Sequence, residues 1–330
     1  MKKIMFLLAF LCTSMLLAQE TMTSEALWQV KRVSPIGLSE DGQNLFYKVT
    51  IPNVEANNFD SKFYTMSVSG GKSTEIQEEE VRAVDKNLSP NGQYRLMHKA
   101  VHVKDVRGKD VYSDLPKSDV YIYTSLDYRH WDTWNEGSYN HVFYKDVNSG
   151  EEIDITPDEP YYTPQAPFGG DEDYVWGPNG EDIYYVSKKL EGTEYAISTN
   201  TDIYKYNRAS RTTENLTADN KGYDTNPAFS QNGILAYLQM KTEGYESDKN
   251  DIIVLEDGVK QNLTAHWDGT VNSFIWASNN RDIYFTAPVD GTIQIFKVDY
   301  PGKTRKMPVV EQLSQGQFDI TGIVAETNGQ

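Results

Sequence analysis

Residues 176–186 read WGPNGEDIYYV and join a turn to a strand. The Asn179-Gly180 pair is typical of a tight turn, because these residue types adopt positive φ angles at little steric cost. The β-branched and aromatic residues after the turn are typical of a strand. The stretch therefore predicts a β-hairpin with a two-residue turn.

The same pattern recurs along the chain. Its other copies each place a turn before an aromatic or apolar strand, at Leu38–Gly42, Leu88–Gly92, Phe229–Gly233 and Trp276–Asn280. Most copies are about 50 residues apart, close to the repeat of a propeller blade, and one interval is about 90. A second pattern ends the units before the next copy begins, at Ile155-Thr156, Asn215-Leu216-Thr217 and Asn262-Leu263-Thr264.

These repeats predict an all-β fold, a β-propeller of four-stranded blades, because one such sheet cannot bury both of its faces alone. We count about five blades, which begin near Ser34, Val84, Tyr174, Asn226 and Phe274. The long interval predicts an insertion at about residues 102–141 of the second blade. Residues 318–324 resemble the first strand of a sixth blade. Either that strand closes a five-bladed ring, or the chain is part of a larger propeller, which we favour because no turn and aromatic strand follow.

The N-terminus has the pattern of a secretory signal peptide. Lys2 and Lys3 precede an apolar run at residues 4–17 that is too short to span a membrane. We expect residues 1–18 to be removed, leaving a propeller at 19–330 without a membrane anchor, in the periplasm of a Gram-negative bacterium or outside the cell. Cys12 is the one cysteine, so disulfides and a thiol nucleophile are excluded from the mature chain.

The charge of the chain excludes one class of partner. A net charge of −17 argues against nucleic acid, because phosphate binding requires a basic face. A field of this sign permits a ligand with a free ammonium group. No pattern predicts a metal or another cofactor.

A segment of the predicted insertion resembles a known family. Its sequence Arg129-His130-Trp131-Asp132-Thr133-Trp134 resembles the prolyl oligopeptidase family, in its secreted acylaminoacyl-peptidase-like and dipeptidyl peptidase five branch. In that family an α/β-hydrolase domain with a Gly-x-Ser-x-Gly nucleophile elbow follows the propeller. This sequence contains no such elbow, and its nearest string, at residues 67–71, lacks the first glycine.

The resemblance implies that this is the noncatalytic propeller portion of an exported serine exopeptidase, inactive alone because acylation needs the whole catalytic triad. Its expected partners are oligopeptides with a free N-terminus and the hydrolase domain of the same parent chain. The propeller would restrict substrate size and help to bind the N-terminal ammonium. The oligomeric state stays open, a homodimer included.

The same segment supplies the candidate binding residues. It combines aromatic side chains, a cation and a carboxylate, as a pocket for a peptide end requires. Asp132 could hold an ammonium group, and Arg129 a carbonyl or carboxylate. An alternative is that the Trp-Asp pair serves propeller packing. The candidates are Arg129, His130, Trp131, Asp132, Trp134 and Glu136.

Two other functions remain open from the sequence. A stand-alone periplasmic binding propeller of the Tol-associated type shares the turn pattern, but carries a separate domain before its blades. A five-bladed carbohydrate-active propeller would need paired carboxylates as acid and base. We see none at matching positions of successive blades.

Overall fold

The computed structural model describes residues 22–126, 128–304 and 306–326, and the predicted signal peptide lies outside them. The described residues form five antiparallel sheets, which confirms the all-β propeller class. Two compact units divide the chain, one up to Val84 and one from Asp85. Among the described helices, none is long and apolar enough to cross a membrane.

The first unit contains one helix and one sheet. Helix α1 begins after Thr23, whose hydroxyl accepts a hydrogen bond from the Ala26 N–H at 3.1 Å and caps the helix. The elements are α1 (Ser24–Gln29), β1 (Arg32–Leu38), β2 (Asn44–Asn53), β3 (Asn58–Ser67), β4 (Thr74–Ile76) and a 3-10 helix at Glu78–Glu80. The four strands pair in sequence order, and we call this sheet blade one.

The second unit contains four sheets, named blades two to five in chain order. Blade two has β5 (Tyr94–His102), β6 (Ser138–Asp146) and β7 (Glu152–Asp154), and blade three has β8 (Tyr174–Trp176), β9 (Asp182–Ser187), β10 (Asp202–Asn207) and β11 (Thr212–Asn215). Blade four has β12 (Asp224–Phe229), β13 (Leu235–Met240), β14 (Asn250–Glu256) and β15 (Val259–Asn262), and blade five has β16 (Ser273–Trp276), β17 (Asp282–Val289), β18 (Thr292–Asp299) and β19 (Val310–Gln312). Helices α2 (Gly108–Val111) and α3 (Gly192–Ile197) and a 3-10 helix at Asp171–Asp173 lie in connections.

Blade two differs from the predicted four strands. Its first strand is reduced to one bridge between Leu88 and Arg95. The Asp85 carboxylate accepts a hydrogen bond from the Asn87 N–H at 3.0 Å, and the Leu88 N–H donates to the Asp85 carbonyl at 3.1 Å. These local hydrogen bonds form a turn where the strand was expected.

The sheets of the second unit pack face to face, with alternate residues of a strand on opposite faces. In β9, Ile183 and Tyr185 belong to a core shared with blade two, whereas Val186 belongs to a core shared with blade four. In β13, Tyr237 faces blade three, whereas Leu238 belongs to a core shared with blade five. Strand periodicity therefore produces three separate cores, each between two consecutive blades.

The recurring turn is a hairpin turn of a different kind from the one predicted. The Gly180 N–H donates to the Gly177 carbonyl at 2.9 Å, so residues 177–180 form one β-turn. Gly180 has a φ of +69°, whereas Asn179 is not among the described residues with positive φ. Its side chain instead accepts hydrogen bonds from the N–H groups of Glu181 and Asp182, each at 3.0 Å. The two-residue turn predicted at Asn179-Gly180 would need a positive φ at both residues, so that prediction is wrong.

The closing pattern ties the fourth strand of a blade to its third strand. The threonine hydroxyl accepts a hydrogen bond from one backbone N–H of the third strand. The asparagine side-chain amide donates to an aspartate of the third strand, which is the residue just before the one that supplies this N–H. The pairs are Thr217 with Ile203 (2.9 Å), Thr264 with Ile252 (3.1 Å), Asn215 with Asp202 (2.9 Å) and Asn262 with Asp251 (2.9 Å). Blade five repeats the arrangement with Ser314, whose hydroxyl accepts from the Ile295 N–H at 2.8 Å and donates to Gln294 at 2.7 Å.

Blade two places an inverted pair at the same position. His141 stands where blades three and four have Asp202 and Asp251, and Asp154 stands where they have asparagine. His141 is fully buried, and its Nδ1 lies 2.7 Å from Asp154 Oδ2. Its Nε2 lies 2.9 Å from the Glu159 carbonyl oxygen. Since both partners are acceptors, both ring nitrogens donate and the ring is an imidazolium.

Residues 318–326 follow blade five without forming a strand. The Ile293 N–H donates to the Asp319 carboxylate at 2.8 Å, and the Ile320 N–H donates to the Ile293 carbonyl at 2.9 Å. This segment therefore runs beside the start of β18. A sixth blade stays a prediction.

We expect Asp224 to make stability fall as pH rises. Asp224 is fully buried, and burial raises its pKa from 3.8 to about 7 against the hydrogen bond from Gln239. The folded carboxyl group therefore keeps a proton that the unfolded chain releases, so its stabilising contribution is present below about pH 4 and is lost as pH rises through about 7. Asp224→Asn should flatten the slope of the free energy of unfolding between these pH values, as measured by urea unfolding. An unchanged slope would contradict this assignment.

Candidate functional site

Loops of blades two, three and four enclose a cavity of about 1450 Å³, called here the large cavity. Its lining residues are drawn from four segments of the chain, within 104–139, 160–168, 188–199 and 223–247. Antiparallel strands alternate in direction, so the loop after a blade's second strand and the connection to the next blade emerge at one end of the sheets. The recurring turns lie at the opposite end, and the large cavity therefore belongs to the loop end.

The structure brings four of the six candidate residues to the large cavity: Arg129, His130, Trp131 and Trp134. Asp132 is exposed and is not part of the lining. Glu136 lines a smaller pocket of about 360 Å³, where it accepts hydrogen bonds from Arg107 and from the Tyr121 hydroxyl. The six residues therefore do not share one pocket, and the substrate contact of each stays a prediction.

Arg129 is held against a cluster of three aromatic rings. Its guanidinium carbon lies 4.3 Å from the ring centroid of Trp134, which stacks on Tyr123 at 5.7 Å. Tyr121 lies against both Tyr123, at 5.9 Å, and Trp134, at 6.1 Å, and the Arg107 guanidinium carbon lies 4.0 Å from the Tyr121 ring centroid. Trp134 thus packs within the insertion and positions Arg129 at the cavity, whereas the buried indole of the alternative packing role is not found at Trp131, which is largely exposed.

Trp131 forms a second aromatic cluster at the large cavity. Its ring centroid lies 4.7 Å from His130 and 5.9 Å from Phe168, with edge-to-face geometry. Trp131 is 70% exposed and Phe168 is 66% exposed. Trp131 also has a φ of 52°, which is strained for a bulky side chain. Strained, exposed aromatic residues concentrate at functional sites, so this cluster is a candidate contact for an apolar ligand group.

The large cavity has carboxylates that the sequence did not single out. Glu191 forms an ion pair with Lys104 at 3.3 Å and accepts a hydrogen bond from Tyr161 at 3.4 Å. Glu246 is hydrogen-bonded to Tyr223 and has no ion pair among the described residues. Glu246 is therefore the cavity carboxylate most available to a cationic ligand.

Lys188 is a partly buried cation in the same lining. Its ammonium donates to the Ser198 carbonyl and lies 4.5 Å from the ring centroid of Tyr195. Burial lowers the pKa of Lys188, whereas the charge of Glu246 acts in the opposite direction. An anion beside Lys188 would relieve the cost of burying its charge.

Sequence patterns missed the walls from blades three and four. Helix α3 and residues 244–247 belong to no recurring motif. A positional signal was nevertheless present, because the insertion of blade two follows that blade's second strand. The corresponding connections of blades three and four, after β9 and β13, contribute to the same end.

Two further histidines outside the large cavity, His98 and His102, have protein partners. His98 Nδ1 lies 3.1 Å from the Tyr174 hydroxyl, and His102 Nε2 lies 2.9 Å from Asp105 Oδ1. Across the described ranges, no group of three or more His, Cys, Asp or Glu residues could hold a metal ion.

Comparison with known proteins relates the chain to a group of peptidases. It is 31% identical over 349 residues to dipeptidyl-peptidase 5 of Porphyromonas gingivalis, covering 91% of this chain and 50% of that protein. It is 27% identical over 354 residues to dipeptidyl-peptidase 5 of Porphyromonas endodontalis, with the same coverage. The chain thus spans about half the length of these curated relatives.

A solved structure of a peptidase has a similar fold over most of this chain. Acylaminoacyl peptidase of Pyrococcus horikoshii superposes with a TM-score of 0.61 at 14% identity, over 92% of this chain and 49% of that one. No family model matches the chain.

Proposed function

We propose that the chain is the noncatalytic propeller portion of an exported serine exopeptidase of the prolyl oligopeptidase family, in the branch of dipeptidyl-peptidase 5. Its role is to admit short peptides with a free N-terminus and to restrict their size. The large cavity carries this proposal, because it combines apolar rings with a few polar groups at the loop end of three blades.

The sequence suggested Asp132 as the residue that binds the peptide ammonium group. In this proposal Glu246 binds it instead. Glu246 lines the large cavity, whereas Asp132 does not. Glu246 has a hydrogen bond to Tyr223 that orients the carboxylate, and it has no ion pair in the described part of the chain. A peptide ammonium would supply the missing cation through a charge-assisted hydrogen bond.

We expect Glu246→Gln to weaken the binding of Ala-Ala-Ala about tenfold or more, because a hydrogen bond between charged groups contributes about 1.5–3 kcal/mol. N-acetylation of the peptide should weaken binding to the unsubstituted chain by a similar factor. Isothermal titration calorimetry measures both effects.

The matched control is Glu243→Gln. Glu243 is exposed in the same loop but does not line the large cavity, so this variant changes net charge equally and should bind as the unsubstituted chain does. Equal losses in the two variants would show a general charge effect and would contradict a grip by Glu246.

The peptidase assignment is tested separately on the product of the intact locus. We expect it to release dipeptides from chromogenic substrates with a free N-terminus, and we expect the 330-residue chain to be inactive. A locus product without a hydrolase domain and without activity would instead favour a stand-alone binding propeller of the Tol-associated type.

A further inference from the structure

We propose that the large cavity binds a carboxylate group of its peptide ligand at Arg129, with Lys188 as a second cation. This inference rests on the proposed peptide function and deepens it by naming a substrate class. The preferred ligands are short peptides that carry a carboxylate within a few residues of the free N-terminus, either the C-terminal carboxylate or an acidic side chain.

The first observation is the ion pairing of the cavity cations. Lys104, Arg129 and Lys188 line the large cavity, and Lys104 is paired with Glu191. Neither Arg129 nor Lys188 has a carboxylate at ion-pair distance among the described residues. The chain has 48 acidic and 31 basic residues, so acidic partners are abundant elsewhere. Two unpaired cations in one cavity of such a chain indicate an anionic ligand.

The second observation is how Arg129 is held. Its guanidinium lies over the Trp134 indole, 4.3 Å from the ring centroid. Stacking on an aromatic face restricts the side chain and leaves the N–H donors at the guanidinium edge available. A planar fork of donors fits a carboxylate with two parallel hydrogen bonds. The position is therefore arranged for carboxylate recognition, and Trp134 acts as its positioning residue.

The third observation is the environment of Lys188. Its ammonium has the Ser198 carbonyl and the face of Tyr195 as direct neighbours, and the charge of Glu246 acts on it without forming an ion pair. A carboxylate that enters the large cavity would meet this partly desolvated cation, where attraction is stronger than in water. Lys188 thus favours the same ligand chemistry as Arg129.

The test compares three tripeptides by calorimetry on the full chain: Ala-Ala-Ala, Ala-Ala-Ala-amide and Ala-Asp-Ala-amide. We expect amidation of Ala-Ala-Ala to weaken binding about tenfold, in line with the loss of a charged hydrogen bond. Arg129→Gln should remove most of that difference. If the natural source is an acidic side chain, Ala-Asp-Ala-amide binds at least as tightly as Ala-Ala-Ala; if it is the C-terminus, Ala-Ala-Ala binds more tightly.

Arg281→Gln is the matched control, since Arg281 is exposed in blade five, lies outside the cavity lining and carries the same charge. It should leave the amidation effect unchanged. Equal affinity of the acid and both amides, or an amidation effect that survives Arg129→Gln, would overturn the inference. If N-acetylation weakens peptide binding but amidation does not, the proposed ammonium site at Glu246 is supported and this inference is overturned. The absence of all peptide binding would overturn both.

Discussion

His141→Asp is expected to lower the free energy of unfolding by about 3–5 kcal/mol, because it replaces a buried imidazolium with a carboxylate beside Asp154. Burial alone lowers the pKa of His141, but the hydrogen bond and charge of Asp154 outweigh it and raise the pKa above its usual value. The contribution of His141 is therefore present below about pH 6.5 and is lost as pH rises through the folded pKa. Urea unfolding at about pH 6 measures the effect near its maximum.

The double variant His141→Asp with Asp154→Asn provides the matched control. It recreates in blade two the aspartate-asparagine pair that blades three and four contain, where each amide donates to a carboxylate at 2.9 Å. We expect it to recover at least half of the lost stability and to lack the pH dependence due to His141. A double variant no more stable than His141→Asp would show that the loss arises from packing and not from charge.

Arg208→Ala is expected to lower the free energy of unfolding by about 3 kcal/mol, since it removes a nearly buried cation shared by two blades. The guanidinium carbon of Arg208 lies 3.8 Å from the ring centroid of Tyr94 and 4.8 Å from that of Tyr144, both in blade two. Its side chain is 11% exposed, and Nη1 donates to the Gly180 carbonyl of blade three at 3.1 Å. The same urea experiment measures the loss.

Two further variants separate the causes of that loss. Arg208→Lys keeps the charge without the planar group, and we expect it to recover less than half of the stability. Arg95→Ala removes an arginine whose pair with Asp85 is largely exposed, and it should cost at most about 1 kcal/mol. An Arg208→Ala loss no larger than that of Arg95→Ala would contradict the bridging role.

The sequence predicted the fold class because its cues were local and repeated. The turn at Gly177–Gly180 specifies a hairpin, and the alternating residues of β9 specify two buried faces. Neither cue requires long-range information. The turn type was wrong because the side chain of Asn179 can serve either as a turn residue with positive φ or as an acceptor for N–H groups. Sequence alone does not decide between these hydrogen-bond arrangements.

The candidate site was predicted only in part because a cavity between blades is a long-range feature. Arg129 and Trp131 were found through an unusual local segment, and both line the large cavity. Glu246 lies more than a hundred residues further along the chain in an ordinary loop, and only the tertiary fold brings it to the same lining. Asp132 was included as the carboxylate of that segment and Glu136 as its neighbour, but nearness in sequence does not determine the pocket that a side chain faces.

The three separate cores of the second unit also bear on how such a chain can change over evolutionary time. Each core is shared by only two adjoining blades, so a substitution in the core between blades four and five alters a surface that the core between blades two and three does not touch. The large cavity draws its walls from blades two, three and four. The cores between blades two and three and between blades three and four lie wholly within the blades that form the cavity, so we expect substitutions on the blade-five side of the remaining core to change ligand selectivity least.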